Sequence, residues 1–121
     1  MKLAIIGSRT FTDFNLAEYY FLRYYNQYQQ ELEIVSGGAK GADSLAKQLA
    51  EKYKLKLTEH LPDYAKHSNI APLVRNQLII NDAEEIICFW DGDSRGSRDS
   101  LRKAKDKGIP TFIVYFKENE D

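Results

Sequence analysis

The run Ile34-Val35-Ser36-Gly37-Gly38-Ala39-Lys40-Gly41-Ala42-Asp43 constrains this chain more than any other stretch. An apolar strand end enters a glycine-rich turn, and an amphipathic pattern (Ser44, Leu45, Ala46, Leu49, Ala50, Tyr53) begins where the turn ends. Glycine takes backbone angles closed to other residues and lets a ligand come close to the main chain. The helix that follows starts with free N–H groups and the positive end of its dipole, which favours an anion, commonly a phosphate. A tight strand-to-helix turn that binds nothing is the other reading of the same residues. No Gly-Lys-Ser/Thr closes the turn as in a Walker A loop, and only Gly38-x-x-Gly41 fits the G-x-G-x-x-G spacing.

The same grammar runs through the chain. Lys2–Ile6 reads as a buried strand ended by Gly7-Ser8-Arg9. Asn15 is placed to cap the next helix, with Glu18 completing a capping box. Leu16, Ala17, Tyr20, Phe21, Tyr24 and Tyr28 form its core stripe. Tyr19, Leu22 and Tyr25 lie outside that stripe, as an oligomer contact or as ordinary surface residues. Glu33–Ser36 is the second strand. Leu55–His60 alternates and reads as an edge strand. Pro62–Asn69 is an irregular connection, and Asn69 is placed to cap a helix from Ile70 to about Asn81. Glu85–Trp90 is the most apolar strand, and Asp91–Ser97 is a second glycine-rich turn into a helix ended by Gly108. Thr111–Phe116 is the last strand.

Strands alternating with helices predict an α/β, Rossmann-like fold: a five-stranded, mainly parallel sheet in order 3-2-1-4-5 with helices on both faces. The chain of 121 residues is expected to form a single domain over 1–121. Every strand-to-helix loop then reaches the carboxyl edge, where such folds bind their ligands. Gly7-Ser8-Arg9, Ser36–Asp43 and Asp91–Ser97 meet there and bring Arg9, Lys40 and Arg95.

Charge and cysteine content narrow the partners. A net charge of −1 gives no global field for nucleic acid, which is possible as a partner but not favoured. Cys88 is the only cysteine, which suits a reducing compartment. The N-terminal apolar run is too short for a signal peptide or a membrane span. The expectation is a cytoplasmic protein without a membrane partner. His60 and His67 have no cysteines at metal spacing, so no metal and no cofactor are expected. The charged tail Lys117–Asp121 is expected to fray.

Four segments together resemble the SLOG superfamily: Gly7-Ser8-Arg9, Ser36–Asp43, Arg75-Asn76, and Phe89–Ser97. This Rossmann-like group holds the Lonely Guy phosphoribohydrolases, the DNA-processing protein DprA and the YspA/YpsA-type proteins, and the small YspA-like branch is the best match. The resemblance implies a domain that binds nucleotides or nucleotide-derived molecules, often as a homo-oligomer such as a dimer. The arginine that is catalytic in Lonely Guy enzymes corresponds to Arg75. Their catalytic glutamate falls at Ser100, which cannot act as a carboxylate. Asp91, Asp93 and Asp99 are the candidate substitutes, although an Asp beside a glycine turn also serves as a turn or cap residue.

The expected ligand site comprises Gly7, Ser8, Arg9, Ser36, Gly37, Gly38, Lys40, Gly41, Asp43, Arg75, Asn76, Asp91, Ser94, Gly96 and Ser97. Two roles are open to Asp43, a ribose hydroxyl or the helix N-terminus. Two are open to Trp90, a stacked base or the core. Arg75 either faces the ligand or pairs with Asp82 or Glu84. The expected function is binding of a nucleoside phosphate or an ADP-ribose-like ligand, as a sensor or sequestering module. The alternatives are a nucleotide N-glycosidase, with Arg75, Asp91, Asp93 or Asp99 in catalysis, and a single-stranded DNA-binding module.

Overall fold

The structure is a computed structural model that describes residues 1–117. The expected fraying of Lys117–Asp121 therefore concerns residues that lie mostly outside the described ones. Five strands, β1 (Lys2–Gly7), β2 (Glu33–Ser36), β3 (Lys56–Glu59), β4 (Glu85–Trp90) and β5 (Thr111–Tyr115), form one sheet in order β3-β2-β1-β4-β5. Every adjacent pair is parallel, as the alternating pattern requires. The helices are α1 (Phe14–Tyr28), α2 (Ala42–Tyr53), α3 (Tyr64–His67), α4 (Ala71–Asp82) and α5 (Arg95–Lys107).

The period of two along β1 assigns the layers. Leu3 and Ile5 point to the α1/α2 side, where Phe21, Leu45, Leu49, Ile87 and Phe89 complete a core. Ala4 and Ile6 point to the α4/α5 side, with Val35, Ile79, Ile80, Ile86 and Cys88. The Phe11 ring stacks on Phe89 at 4.5 Å between centroids, which fixes the β1–α1 loop onto the sheet. At the edge, β3 carries exposed Lys56 and Glu59.

Several local expectations are corrected. Asp13, not Asn15, caps α1, accepting the Leu16 N–H at 3.1 Å. Glu18 instead accepts from the Tyr53 hydroxyl at 2.7 Å and pairs with Lys52, tying α1 to α2. Asn69 does not cap α4, which begins at Ala71 with Ile70 before it and no side-chain cap. The connection 62–69 holds the short α3, capped by Asp63, and a 3₁₀ turn over Ser68–Ile70. Of the residues outside the α1 stripe, Leu22 and Tyr25 are partly buried against the core, and Tyr19 is 66% exposed. Trp90 donates its indole N–H to the Ser94 carbonyl at 3.1 Å and meets Tyr115, so its ring is spent on structure.

Candidate functional site

Strand order reverses across β1 and β4, and the loops leaving these two strands are stitched together. The Ser8 N–H donates to the Phe89 carbonyl at 2.8 Å. Ser8 Oγ accepts the Asp91 N–H at 3.1 Å and lies 2.9 Å from Ser94 Oγ. A Cβ on Gly7 would stand 2.2 Å from the Phe89 carbonyl oxygen, so only glycine lets the strands close here. The β2–α2 turn joins from the other side: the Ala42 N–H donates to the Ser8 carbonyl at 3.3 Å.

A cavity of about 590 Å³ opens at this carboxyl edge. Its walls come from the end of β1 and the loop after it (Gly7, Ser8, Arg9), the β2–α2 turn and first turn of α2 (Ala39, Asp43), α4 (Pro72, Arg75, Asn76, Ile79) and the start of α5 (Ser94, Gly96, Ser97, Ser100), with Asp91 and Arg95. Three arginines, Arg9, Arg75 and Arg95, and two aspartates, Asp43 and Asp91, are among the residues that line it. No aromatic residue is among the described residues lining it.

Arg75 is 9% exposed. Its Nη1 donates to the Gly37 carbonyl at 2.8 Å and its Nε to Asn76 Oδ1 at 3.0 Å. It makes no ion pair with Asp82, which is held by Lys2 and His60. Burial lowers the Arg75 guanidinium from its usual range, the charge of Asp43 opposes this, and the like charge of Arg9 adds to it. Asp43 is 8% exposed, and its Oδ2 accepts the Ala39 N–H at 3.1 Å. Burial pushes its carboxyl up, against the pull of that N–H and of Arg75. Asp43 thus sits in the first turn of α2 and also lines the cavity.

The second turn is organised by Asp91. Its Oδ1 accepts the N–H groups of Asp93 and Ser94, at 2.9 and 2.8 Å, and these bonds hold its carboxyl below the usual range. The helix α5 then starts with no side-chain cap and no acidic residue in its first turn. Its first N–H groups have no acceptor within the helix and give its start a partial positive charge.

Of the expected residues, Gly7, Ser8, Arg9, Asp43, Arg75, Asn76, Asp91, Ser94, Gly96 and Ser97 line the cavity. Ser36, Gly37, Gly38, Lys40 and Gly41 do not. Ser36 is buried and receives the Gly38 N–H at 3.2 Å; Lys40 is exposed. Among the candidate carboxylates, Asp93 is exposed in its turn. Asp99 is turned to Asn76, Arg102 and Lys103. Burial pushes the Asp99 carboxyl up, but the bonds from Lys103, Asn76 and Arg102 prevail and it lies below the usual range. The sequence reading missed Ala39, Pro72, Ile79 and Ser100 as wall residues. The spacing Pro72, Arg75, Asn76, Ile79 is the signal that could have found the α4 face. Cys88 is buried beneath the site, and burial raises its thiol to about 12, too high for a nucleophile.

Residues 1–67 match the family YAcAr, described as the YspA, cpYpsA-related SLOG family. The Gene 61 protein of Mycobacterium phage D29 is 32% identical over 87 residues, covering 67% of this chain and 70% of that one. DNA processing protein A from Helicobacter pylori, whose structure was described for its unique single-stranded DNA binding mode, superposes with a TM-score of 0.74. It shares 24% identity over 100% of this chain and 68% of its own. DprA from Streptococcus pneumoniae gives a TM-score of 0.75 at 19% identity, covering 98% of this chain and 52% of its own. At these identities the two structures show the shared Rossmann-like fold.

Proposed function

For a chain that belongs to the YspA, cpYpsA-related SLOG family, we propose that the cavity at the carboxyl edge binds a nucleotide or nucleotide-derived phosphate, as a sensor or sequestering module. One observation carries this reading: the acid-free start of α5 lines the same cavity as Arg9, Arg75 and Arg95. Helix N–H groups and planar guanidinium forks are the chemistry that holds phosphate oxygens. The volume lies within the range of small-molecule sites. In this reading the ligand-contacting residues are Gly7, Ser8, Arg9, Asp43, Arg75, Asn76, Asp91, Ser94, Gly96 and Ser97. Ser36, Gly37 and Gly41, buried or packed behind the wall, shape it, and Gly38 lies exposed in the same turn.

Binding is favoured over cleavage. Ser100, where the enzymatic relatives carry their glutamate, is buried in the cavity wall and offers no charge to an oxocarbenium-like centre. Asp91 and Asp99 are both committed to internal bonds.

The test is calorimetry with AMP, GMP and ADP-ribose against the matching nucleosides, with chromatography for released base. AMP should bind with micromolar affinity and without base release. Arg9→Ala should weaken AMP more than adenosine. Equal loss for both would show that Arg9 does not read the phosphate. Efficient base release would establish the glycosidase instead.

Single-stranded DNA is the second reading, favoured by the fold shared with the H. pylori protein. Among the described residues, none that lines the cavity is an aromatic stacking platform of the kind such sites use. A salt-dependent mobility shift with an oligonucleotide, lost in Arg75→Ala, would support it.

A homo-oligomer acting in the cytoplasm completes the proposal. Among the described residues, no helix is long and apolar enough to cross a membrane. Exposed Tyr19 on α1 and Phe112, Ile113 and Tyr115 on β5 offer the contact, and light scattering at micromolar concentration decides it.

A further inference from the structure

Arg75 is a buried cation without a carboxylate in ion-pair distance among the described residues. Something other than a direct salt bridge must keep its guanidinium in the cavity wall. The bond from Nη1 to the Gly37 carbonyl fixes one corner. The bond from Nε to Asn76 Oδ1 fixes the other, and its strength depends on how the Asn76 amide is held.

Asn76 is 6% exposed. Its Nδ2 donates to Asp99 Oδ2 at 3.1 Å and reaches the Gly96 carbonyl at 3.4 Å. The polarity of this relay is unique. Turning the amide over would set Nδ2 against the Arg75 Nε–H, donor to donor. It would also set Oδ1 against the Asp99 carboxylate, acceptor to acceptor. Asp99 is anchored in turn. Lys103 Nζ meets its Oδ2 at 2.6 Å and Arg102 Nη2 its Oδ1 at 2.9 Å. The same Lys103 Nζ donates to the Leu73 carbonyl at 2.7 Å, which ties α5 to the first turn of α4. A chain of charge-assisted bonds thus runs from the surface of α5 through Asn76 to the guanidinium.

We propose that Asp99 is a positioning residue: acting through Asn76, it orients Arg75 in the cavity wall and sets it relative to the start of α5. With Nε and Nη1 engaged, Nη2 is the nitrogen these two bonds leave for a ligand oxygen. The part of the proposal that concerns ligand affinity rests on the phosphate reading above. The part that concerns Arg75 does not.

The experiment has two arms. In the first, the Arg75 Nε–H resonance, assigned by its loss in Arg75→Lys, is followed by hydrogen exchange without ligand. Exchange should be slow in the unaltered protein, at least tenfold faster in Asp99→Ala, and faster by a smaller factor in Lys103→Met. Lys103→Met carries the test if Asp99→Ala does not fold. Unchanged exchange in a folded variant overturns the proposal. In the second arm, AMP affinity is measured by calorimetry in a double-mutant cycle. Asp99→Ala should weaken AMP five- to tenfold in the unaltered background and less than twofold in the Arg75→Lys background. Equal losses in both would mean that Asp99 serves the fold alone, and would overturn the proposal. If the unaltered protein does not bind AMP while the exchange arm responds as expected, the nucleotide reading fails and the positioning role stands.

Discussion

The two glycine-rich turns at the carboxyl edge are alike in sequence and differ in what surrounds their glycines. In the β2–α2 turn the glycines are spent on the protein itself. A Cβ on Gly41 would meet the Ser8 and Arg9 backbone at 2.4–2.5 Å, and one on Gly37 would meet Arg75 Nη1 at 2.6 Å and Asp43 Oδ2 at 2.9 Å. After β4, a Cβ on Gly92 in the turn or on Gly96 in the first turn of α5 would meet nothing within 4 Å, and only Gly92, at φ +86°, has a backbone that asks for glycine. The first helix start is occupied from within: the Ser8 carbonyl takes its Ala42 N–H, and Asp43 lies in its first turn. The second has no acidic residue within its first turn; the Asp91 carboxylate bonds the N–H groups of Asp93 and Ser94 just before it, and the start opens on the cavity. On the proposed reading, a glycine-rich turn before a helix does not by itself place an anion; what already fills the helix start decides.

The largest expected effect is on the internal turn. Gly41 has φ +75°, a conformation that L side chains rarely adopt, and its Cβ position is taken by backbone. Left-handed strain of about 1–2 kcal/mol adds to overpacking of about 1–3 kcal/mol. Gly41→Ala should thus cost about 3 kcal/mol in urea unfolding. A loss under about 1 kcal/mol would mean that the loops separate easily and that the turns are not so different.

Asp91→Ala probes the other turn, which a single carboxylate holds through two N–H bonds. Loss of such a turn or cap residue costs about 1 kcal/mol. The pH dependence has a definite sign. These bonds lower the Asp91 carboxyl in the folded state. Its stabilisation is therefore present above the ordinary aspartate range and is lost as pH falls through the lowered folded value. The difference between the unaltered protein and Asp91→Ala should shrink on acidification from pH 6 to below pH 3. A difference that does not change with pH would show that the turn holds without the charge.

How much of this was legible beforehand follows the same division. Strand order could be read because period-two runs alternate with helical ones and right-handed crossovers leave few topologies. The meeting of Gly7–Arg9, the β2–α2 turn and Asp91–Ser97 at one edge followed from that. The caps were misread because local spacing offers two solutions. Asn15-x-x-Glu18 looks like a capping box, but Asp13 lies two residues earlier and takes the role. Lys52 and Tyr53, remote in sequence, draw Glu18 away. Tyr25 reads as exposed for the same reason, since Tyr53 of α2, whose ring it meets, is invisible to a helical wheel, and Leu22 is likewise partly buried against the core. The glycines themselves were legible; what stands beside each of them in space was not. Asp99 is a candidate carboxylate in the sequence because it neighbours Ser100; its partner Asn76 stands on another helix and is not visible there.

The smallest expected effect has the opposite sign and sharpens the contrast most. Gly96 is the second residue of α5, exposed and with open space where its Cβ would be. No packing demand explains a glycine there. Alanine at a compatible helical position is favoured by roughly 0.5–1 kcal/mol, partly because glycine leaves the unfolded chain more entropy to lose. Gly96→Ala should therefore stabilise the free protein, by about 0.5 kcal/mol this close to the helix end. The new methyl group would stand at the cavity wall beside the N–H groups assigned to the phosphate. AMP affinity should fall as stability rises, a pairing expected when a position is kept for a ligand at the expense of the fold. Urea unfolding and calorimetry on the same variant decide it. Higher stability with unchanged AMP binding would move the phosphate away from α5. Lower stability would mean that Gly96, like Gly41, serves the fold, and the difference between the two turns would disappear.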